Sequence, residues 1–207
     1  MARPQSADHH LKRDEILDAA AQCFAQQSYT AASMATVAAK VGTSKARIYH
    51  YYDSKEALLF DLLDRYTQRL LALIGETEAH AQRKKLDDRA ALHQLVRNFL
   101  QEYESSATRH AALLNDTKFL SDAADAALGM SQRGLIMQRQ RDIVSAFTRF
   151  LRRAYPQRLT DANQTALTMM LFGMINWTFT WLRPDGPMRY SEFADQVIGT
   201  LEHGFSR

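Results

Sequence analysis

The chain of 207 residues has one cysteine, Cys23, so no disulfide can close within it. That usage suits a reducing compartment, and the cytoplasm is the expected location. Only 8 glycines and 4 prolines occur, which implies few tight turns and much helix. The opening residues carry no apolar run, so a secretory signal is not expected. No charge of one sign dominates. The 26 basic and 23 acidic residues leave a formal net charge of +3, so any nucleic-acid footprint has to be local. There is no glycine-rich phosphate loop, nucleophile elbow or zinc signature. His9, His10, His50, His80, His93, His110 and His203 show no paired metal spacing with carboxylates. Catalysis, a metal and a resident cofactor are therefore not expected. Repeats and low-complexity blocks are missing too.

One stretch tests the expectation that no membrane is involved. Residues 162–182 hold no Asp, Glu, Lys or Arg and are long enough to span a bilayer. They also hold Asn163, Gln164, Thr165, Thr168, Asn176, Thr178 and Thr180, each costly in hydrocarbon. Burial inside a protein or an oligomer accounts better for such a helix.

What is present reads as helix. Hydrophobic residues make up 46% of the chain and charged residues 24%, the balance of a folded globular protein. No period-2 run or hairpin dipeptide appears. Ile16, Ala20 and Phe24 mark a first helix that ends at Gln26–Ser28. Ser33 opens a second, and Gly42 suits its left-handed C-terminal position. Thr43 or Ser44 caps a short third, Lys45 to about Tyr51. Asp53–Ser54 caps a fourth, expected over Lys55 to Ile74. A charged link follows at 82–89. Further helices are expected around 92–103 and 111–120, then a long one to Tyr155. The uncharged helix over 162–182, opened by Thr160-Asp161, comes next, and a last one opens at Ser191. The fold class is all-α, about nine helices: a three-helix N-terminal head (1–54) and a helical body (55–207).

Residues 33–52 have the physics of a helix-turn-helix. Ala38 lets two helices approach, Gly42 permits the turn, and Val37, Val41 and Ile48 form a shared core. The third helix would then present Lys45, Arg47, Tyr49, His50 and Tyr51. Arginine and lysine reach guanine acceptors, while tyrosine and histidine bind phosphates or bases. Lys55, in the first turn of the next helix, is placed for a phosphate. Composition adds little, since residues 1–55 carry seven basic and five acidic groups.

The segments EILDAAAQCF and TVAAKVGTSKARIYHYYDSKEALL resemble the N-terminal domain of TetR-type transcriptional regulators. The resemblance covers about residues 12–60. It includes Gly42, Tyr49 two residues beyond Arg47, and the Ser54-Lys55-Glu56 opening of the fourth helix. It implies an all-helical homodimer on a double-stranded, pseudo-palindromic operator, with recognition helices about 34–36 Å apart. Carried over, Ser33, Thr43, Ser44, Lys45, Arg47, Tyr49, His50, Tyr51 and Lys55 are the expected DNA contacts. Two positions depart from the pattern. Ala32 stands where a threonine is common and Ala35 where a charged residue is common, so the phosphate contact there falls to Ser33.

In the body, Leu167, Leu171, Met174, Thr178 and Leu182 mark one face of the uncharged helix, and Thr165, Met169, Gly173, Asn176 and Thr180 the other. Two packing faces imply two neighbours, the protein's own core and a partner subunit. The last helix, through Phe193, Val197, Ile198 and Leu201, is expected to complete a four-helix dimer interface. Residues 133–158 hold seven arginines against one acid, Asp142. On that helix Ile136, Met137, Ile143, Val144, Phe147, Phe150 and Leu151 form an apolar arc, with Arg141, Arg149, Arg152 and Arg153 opposite. Arg133 and Gln140 fall inside the arc. Arg133 either meets an anionic ligand group or sits at the helix end in water.

LFGMINWTFTWLRPDG, residues 171–186, is similar to the C-terminal region of TetR-type regulators that answer to acyl-CoA thioesters, including those of phenylacetate and fatty-acid catabolism. The resemblance implies a small-molecule effector, an acyl- or aryl-CoA such as phenylacetyl-CoA, which releases a repressor from DNA. Phe99, Tyr103, Arg133, Met137, Gln140, Phe147, Met170, Asn176, Trp177 and Trp181 are the expected ligand residues. The alternatives are a repressor answering an uncharged hydrophobic compound and, more remotely, a helical acyl-CoA-binding protein or enzyme.

Overall fold

The computed structural model describes residues 5–205, with side chains described from Lys12 to Gly204. Among these residues the chain forms nine α-helices: α1 (Gln5–Ala31), α2 (Met34–Val41), α3 (Lys45–Tyr49), α4 (Lys55–Lys84), α5 (Asp88–Ser105), α6 (Ala107–Asp116), α7 (Gln132–Ala154), α8 (Gln164–Ile175) and α9 (Tyr190–Phe205). They cluster into two compact units, residues 1–66 with 108–137, and residues 67–107 with 138–207.

In the first unit, α1 packs on α2 and α2 on α3. Ile16, Leu17, Ala20, Phe24, Val37, Ala38 and Ile48 are all buried. Each large aliphatic side chain so buried stabilises the unit by about 1.5–3 kcal/mol. α1 is kinked where its expected end lies, at Ser28, whose φ of 69° and ψ of 156° are not helical.

Sequence and structure part at several elements. α4 runs ten residues past Ile74, through Gly75 to Lys84. A helical glycine costs only about 1 kcal/mol, and buried Ile74, Thr77 and Ala81 continue the apolar stripe. The charged link shrinks to residues 85–87, where Lys85 adopts a φ of 52° and Asp87 caps α5 through Ala90 N–H. A strand pair that the pattern did not reveal joins Ala124–Asp125 to Met130–Ser131, antiparallel, with Gly129 at φ 68° in the turn. Two residues per strand leave no period to detect.

In the second unit, α5 packs extensively on α9. The uncharged stretch is not one helix. Thr160 to Asn163 forms a turn, α8 ends at Ile175, and Thr178–Thr180 is a 3-10 turn. The faces derived from continuous helical spacing therefore hold only as far as residue 175. α9 opens one residue before its expected cap. Glu192, rather than Ser191, accepts the Arg189 N–H at its start. Among the described residues no helix is long and apolar enough to cross a membrane.

Candidate nucleic-acid interface and effector body

The head assembles its exposed helix from short-range rules. Ser33 adopts an extended backbone and accepts the Thr36 N–H at 3.1 Å, capping α2. Gly42 ends α2 in the left-handed region at φ 70°, where a side chain would be strained. Ser44, not Thr43, then caps α3 by accepting the Arg47 N–H at 3.1 Å. With Ile48 buried beneath, α3 turns Lys45, Arg47, Tyr49 and His50 to solvent, while Tyr51 is half-buried. The Lys45 ammonium lies 5.7 Å from the Tyr49 ring centre and the Arg47 guanidinium 5.9 Å from that of Tyr51. His50 meets Tyr51 edge-on at 5.6 Å. Two cations and three rings thus fall within the seven residues from Lys45 to Tyr51, a surface that can grip phosphates and hydrogen-bond base edges.

Behind this helix lies a node that local spacing could not reveal. Tyr52 donates to Asp61 at 2.6 Å, and Arg13 from α1 reaches Asp61 at 3.0 Å while lying 5.2 Å from the Tyr52 ring centre. Arg65 joins Asp61 to Asp14. Burial works against the Asp61 carboxylate. Hydrogen bonds from Tyr52 and Arg65, and the charges of Arg65 and Arg13, outweigh it and hold its pKa below the ordinary value. Burial, and donation to Asp61, push the Tyr52 hydroxyl well up. The node ties α1 and α4 together through Tyr52, the residue just beyond Tyr51. Arg13 and Asp61 are 48 residues apart, so only the fold brings them together.

Lys55 requires a correction. Its ammonium donates to the carbonyls of Tyr29 (2.7 Å) and Ala32 (2.8 Å) and sits 4.4 Å from the Tyr29 ring centre. These bonds direct its charge into the α1–α2 junction instead of toward a phosphate. Ser54, the cap of α4, accepts the Ala57 N–H at 3.0 Å.

Of the expected ligand residues, Phe99, Tyr103, Phe147 and Asn176 come into contact, as packed side chains. Phe99 and Phe147 are fully buried and meet edge-to-face at 4.7 Å; Phe99 also meets Tyr103, and Phe147 meets Phe172. Tyr103 donates to Asn176 at 3.1 Å, and burial raises its pKa. Phe99, Tyr103 and Phe147 are thus core of the second unit. Met170, Trp177 and Trp181 are exposed, at 61%, 51% and 53%. Met137, expected on an apolar arc, is 40% exposed, and Gln140 is half-buried. Arg133 lies in the first turn of α7 and pairs with Asp122 at 2.8 Å, a partly solvated ion pair at the helix end.

The expected dimer residues divide as well. Val197, Ile198 and Leu201 are buried within the subunit, on the helix that packs against α5. On α8, Thr165, Met169, Met170 and Gly173 are exposed. A shallow apolar groove of about 300 Å³ lies between α8 and α9, lined by Leu167, Met170, Gly173, Met174, Thr200 and Gly204. Cys23 is a buried thiol whose pKa burial raises.

A three-helix head carrying an exposed, capped and cation-bearing recognition helix, followed by a helical body, defines the class of helix-turn-helix regulatory proteins. Residues 16–62 match the model of the bacterial regulatory proteins of the tetR family, and residues 85–205 match the tetracyclin repressor-like C-terminal domain. The second match alone exceeds half of the chain, and the protein belongs to the TetR family. A TetR-family regulator from Bordetella parapertussis superposes with a TM-score of 0.81 at 30% identity, covering 91% of this chain and 92% of that one. The HTH-type transcriptional repressor KstR2 of Rhodococcus jostii is 29% identical over 109 residues, 53% of this chain and 52% of its own length. The repressor Rv1474c of Mycobacterium tuberculosis is 35% identical over 72 residues, 34% of this chain and 38% of its own. The chain thus matches about half or less of these two repressors. AibR, solved with isovaleryl coenzyme A and operator DNA, shares the fold with a TM-score of 0.75 at 20% identity, over 91% of this chain and 96% of its own.

Proposed function

We propose that the protein is a ligand-responsive transcriptional repressor that binds a pseudo-palindromic operator as a homodimer and is released by a small-molecule effector. Residues 1–54 serve as the DNA-binding head and residues 55–207 as the effector and dimerisation body. The observation that carries the reading is α3, a five-residue helix capped by Ser44 that exposes Lys45, Arg47, Tyr49 and His50 above the buried Ile48. Lys45 and Arg47 read bases, and Ser33, Thr43 and Ser44 face the backbone. The exposed face of α8 beside the α8–α9 groove meets the partner subunit. Effector binding shifts α4, which begins in the head and ends in the body, and so changes the spacing of the two recognition helices. DNA and effector are then reciprocally coupled, typically by about 1–3 kcal/mol.

The effector class is a CoA thioester, in line with the resemblance of residues 171–186 and with the isovaleryl-CoA held by AibR. The ion pair between Arg133 and Asp122 favours a second reading, an uncharged hydrophobic effector, because it removes one expected anion partner. Fluorescence anisotropy of a labelled fragment from the gene's own upstream region tests both. Nanomolar binding that phenylacetyl-CoA or a long-chain acyl-CoA releases supports the first. Tight binding that neither thioester disturbs supports the second. If that fragment and a genome-wide selection of binding sites both show no binding, the DNA-binding reading falls.

A further inference from the structure

Within the first unit, the head is held by more than the packing of its own three helices. Tyr29 directly follows the strained Ser28 and leads into Ser33, the cap of α2. Its buried ring stacks on Phe119 at 4.8 Å, with 23° between the planes, and meets Phe24 edge-on at 5.2 Å. On the far side of α2 and α3, Glu56 stands in the first turn of α4, and its carboxylate accepts the Ser121 N–H at 2.7 Å. Lys55 joins the two places, since its ammonium donates to the Tyr29 and Ala32 carbonyls. The turn after α6 therefore grips the segment that enters α2 and the segment that leaves α3 at once.

That turn is itself braced from both ends. The Thr117 hydroxyl donates to the Leu113 carbonyl of α6 at 2.6 Å, and Leu120 is buried. The Ser121 carbonyl accepts the Arg133 N–H from the first turn of α7 at 3.2 Å, and Arg133 pairs with Asp122. Further along α1, Arg109 of α6 pairs with Asp18 at 2.7 Å.

We propose that residues 117–121 are a positioning strap for DNA binding: Phe119 and Ser121, through Tyr29 and Glu56, hold the head against α6 and the start of α7 at one angle, so that the two α3 helices of a dimer present one spacing to the operator. The proposal rests on the regulator reading above. Phe119 and Glu56 are positioning residues. Neither lies on α3, and their effect is on which head angles are populated. A stacked ring pair biases such an equilibrium about 2- to 12-fold. A head that spends only part of its time at the competent angle binds more weakly in the same proportion.

The test is anisotropy with the full chain on the operator fragment and on two versions with one base pair added or removed between the half-sites. Phe119→Ala and Glu56→Ala are expected to bind the native spacing about 2- to 12-fold more weakly per head and to discriminate less against the altered spacings. Base preference and the salt dependence of affinity are expected to stay as in the wild type, because no base or phosphate contact is removed. Phe119→Tyr keeps the ring and Glu56→Gln keeps an acceptor, so both are expected to restore the wild-type spacing preference. Truncating Phe119 also removes packing, so Glu56→Ala carries the test if Phe119→Ala does not fold. Wild-type affinity and spacing preference in either folded alanine variant overturns the proposal. An equal loss on all three spacings reveals a merely structural role and overturns it too. Hydrogen exchange of the Ser121 amide reads the strap without DNA. Its protection is expected to fall about 2- to 12-fold in Phe119→Ala, while the Thr36 and Arg47 amides of the α2 and α3 caps keep theirs. Unchanged Ser121 protection means that the two contacts do not act as one element, and overturns the strap. If the wild type binds neither the upstream fragment nor any selected site, the regulator reading falls and the DNA half with it, and exchange alone decides the strap.

Discussion

Replacing Ser28 by glycine should stabilise the protein. Ser28 combines a φ of 69° with a ψ of 156°, a region populated almost only by glycine. Holding a side chain there costs about 1–3 kcal/mol. Two terms oppose the gain. The Ser28 hydroxyl bonds that of Thr30 at 3.0 Å and accepts the Ala31 N–H at 3.5 Å, exposed contacts whose loss costs about 0.5 kcal/mol. Glycine also frees the unfolded chain by about 0.5–1 kcal/mol. For strain in the middle of its range, the net is a stabilisation of about 0.5–1 kcal/mol. In a chain of this length that raises the melting temperature by roughly 1–4 °C. Thermal and urea unfolding followed by circular dichroism would read it. Ser28→Ala is the control: it keeps the strained backbone, loses the hydroxyl contact and should fall below the wild type. If glycine proves neutral or destabilising while alanine is harmless, the strain is not where the backbone angles place it.

Arg47→Ala should weaken operator binding about 5- to 150-fold and relax sequence preference, the cost of one bidentate base contact, read by anisotropy on a panel of operator variants. Wild-type binding and selectivity would remove Arg47 from base reading. The Asp61 carboxylate has a depressed pKa in the folded state, so its stabilisation is present above about pH 4 and is lost as the pH falls through the folded value. Asp61→Asn should therefore destabilise at pH 7 and flatten the fall in urea midpoint between pH 6 and 3; an acid limb as steep as the wild type's would exclude the node as its source. Met170→Asp, at a position 61% exposed, should leave the monomer's fold intact and shift a dimer toward monomer in sedimentation velocity. An unchanged dimer would move the interface off α8.

The head was legible because its signals are local. Ser33, Gly42, Ser44 and Ser54 each act within three or four residues of their own position, and each stands where spacing placed it. The body was less legible because its decisive contacts are distant. Helical periodicity marked Val197, Ile198 and Leu201 as an apolar face and led to their expected place in a dimer interface, whereas they are buried within the subunit on the helix that packs against α5. It likewise ran unbroken through Asn176 and Trp177, although the backbone leaves the α-helix there and Asn176 receives the Tyr103 hydroxyl. Spacing placed Phe99 within an expected helix, as an expected ligand contact rather than core. Its packing against Phe147, 48 residues on, did not follow from spacing.

Charge shows why counting residues misplaces chemistry. Residues 133–158 are far more basic than the head, yet much of that excess is answered locally. Arg133 pairs with Asp122, Arg152 with Asp161, and Arg153 lies near both Asp88 and Glu78. Arg149 and Arg158 are exposed and make no ion pair among the described residues. The head holds fewer cations but arranges them differently. Arg13 and Lys55 face inward and brace α1, α2 and α4. Lys45 and Arg47 stand two residues apart on one capped turn, each near a tyrosine ring. A polyanion with regularly spaced phosphates rewards that second arrangement, because one rigid element delivers both charges at once. What marks the proposed DNA surface is therefore the separation of bracing cations from solvent-facing cations, a property of side-chain partners rather than of net charge.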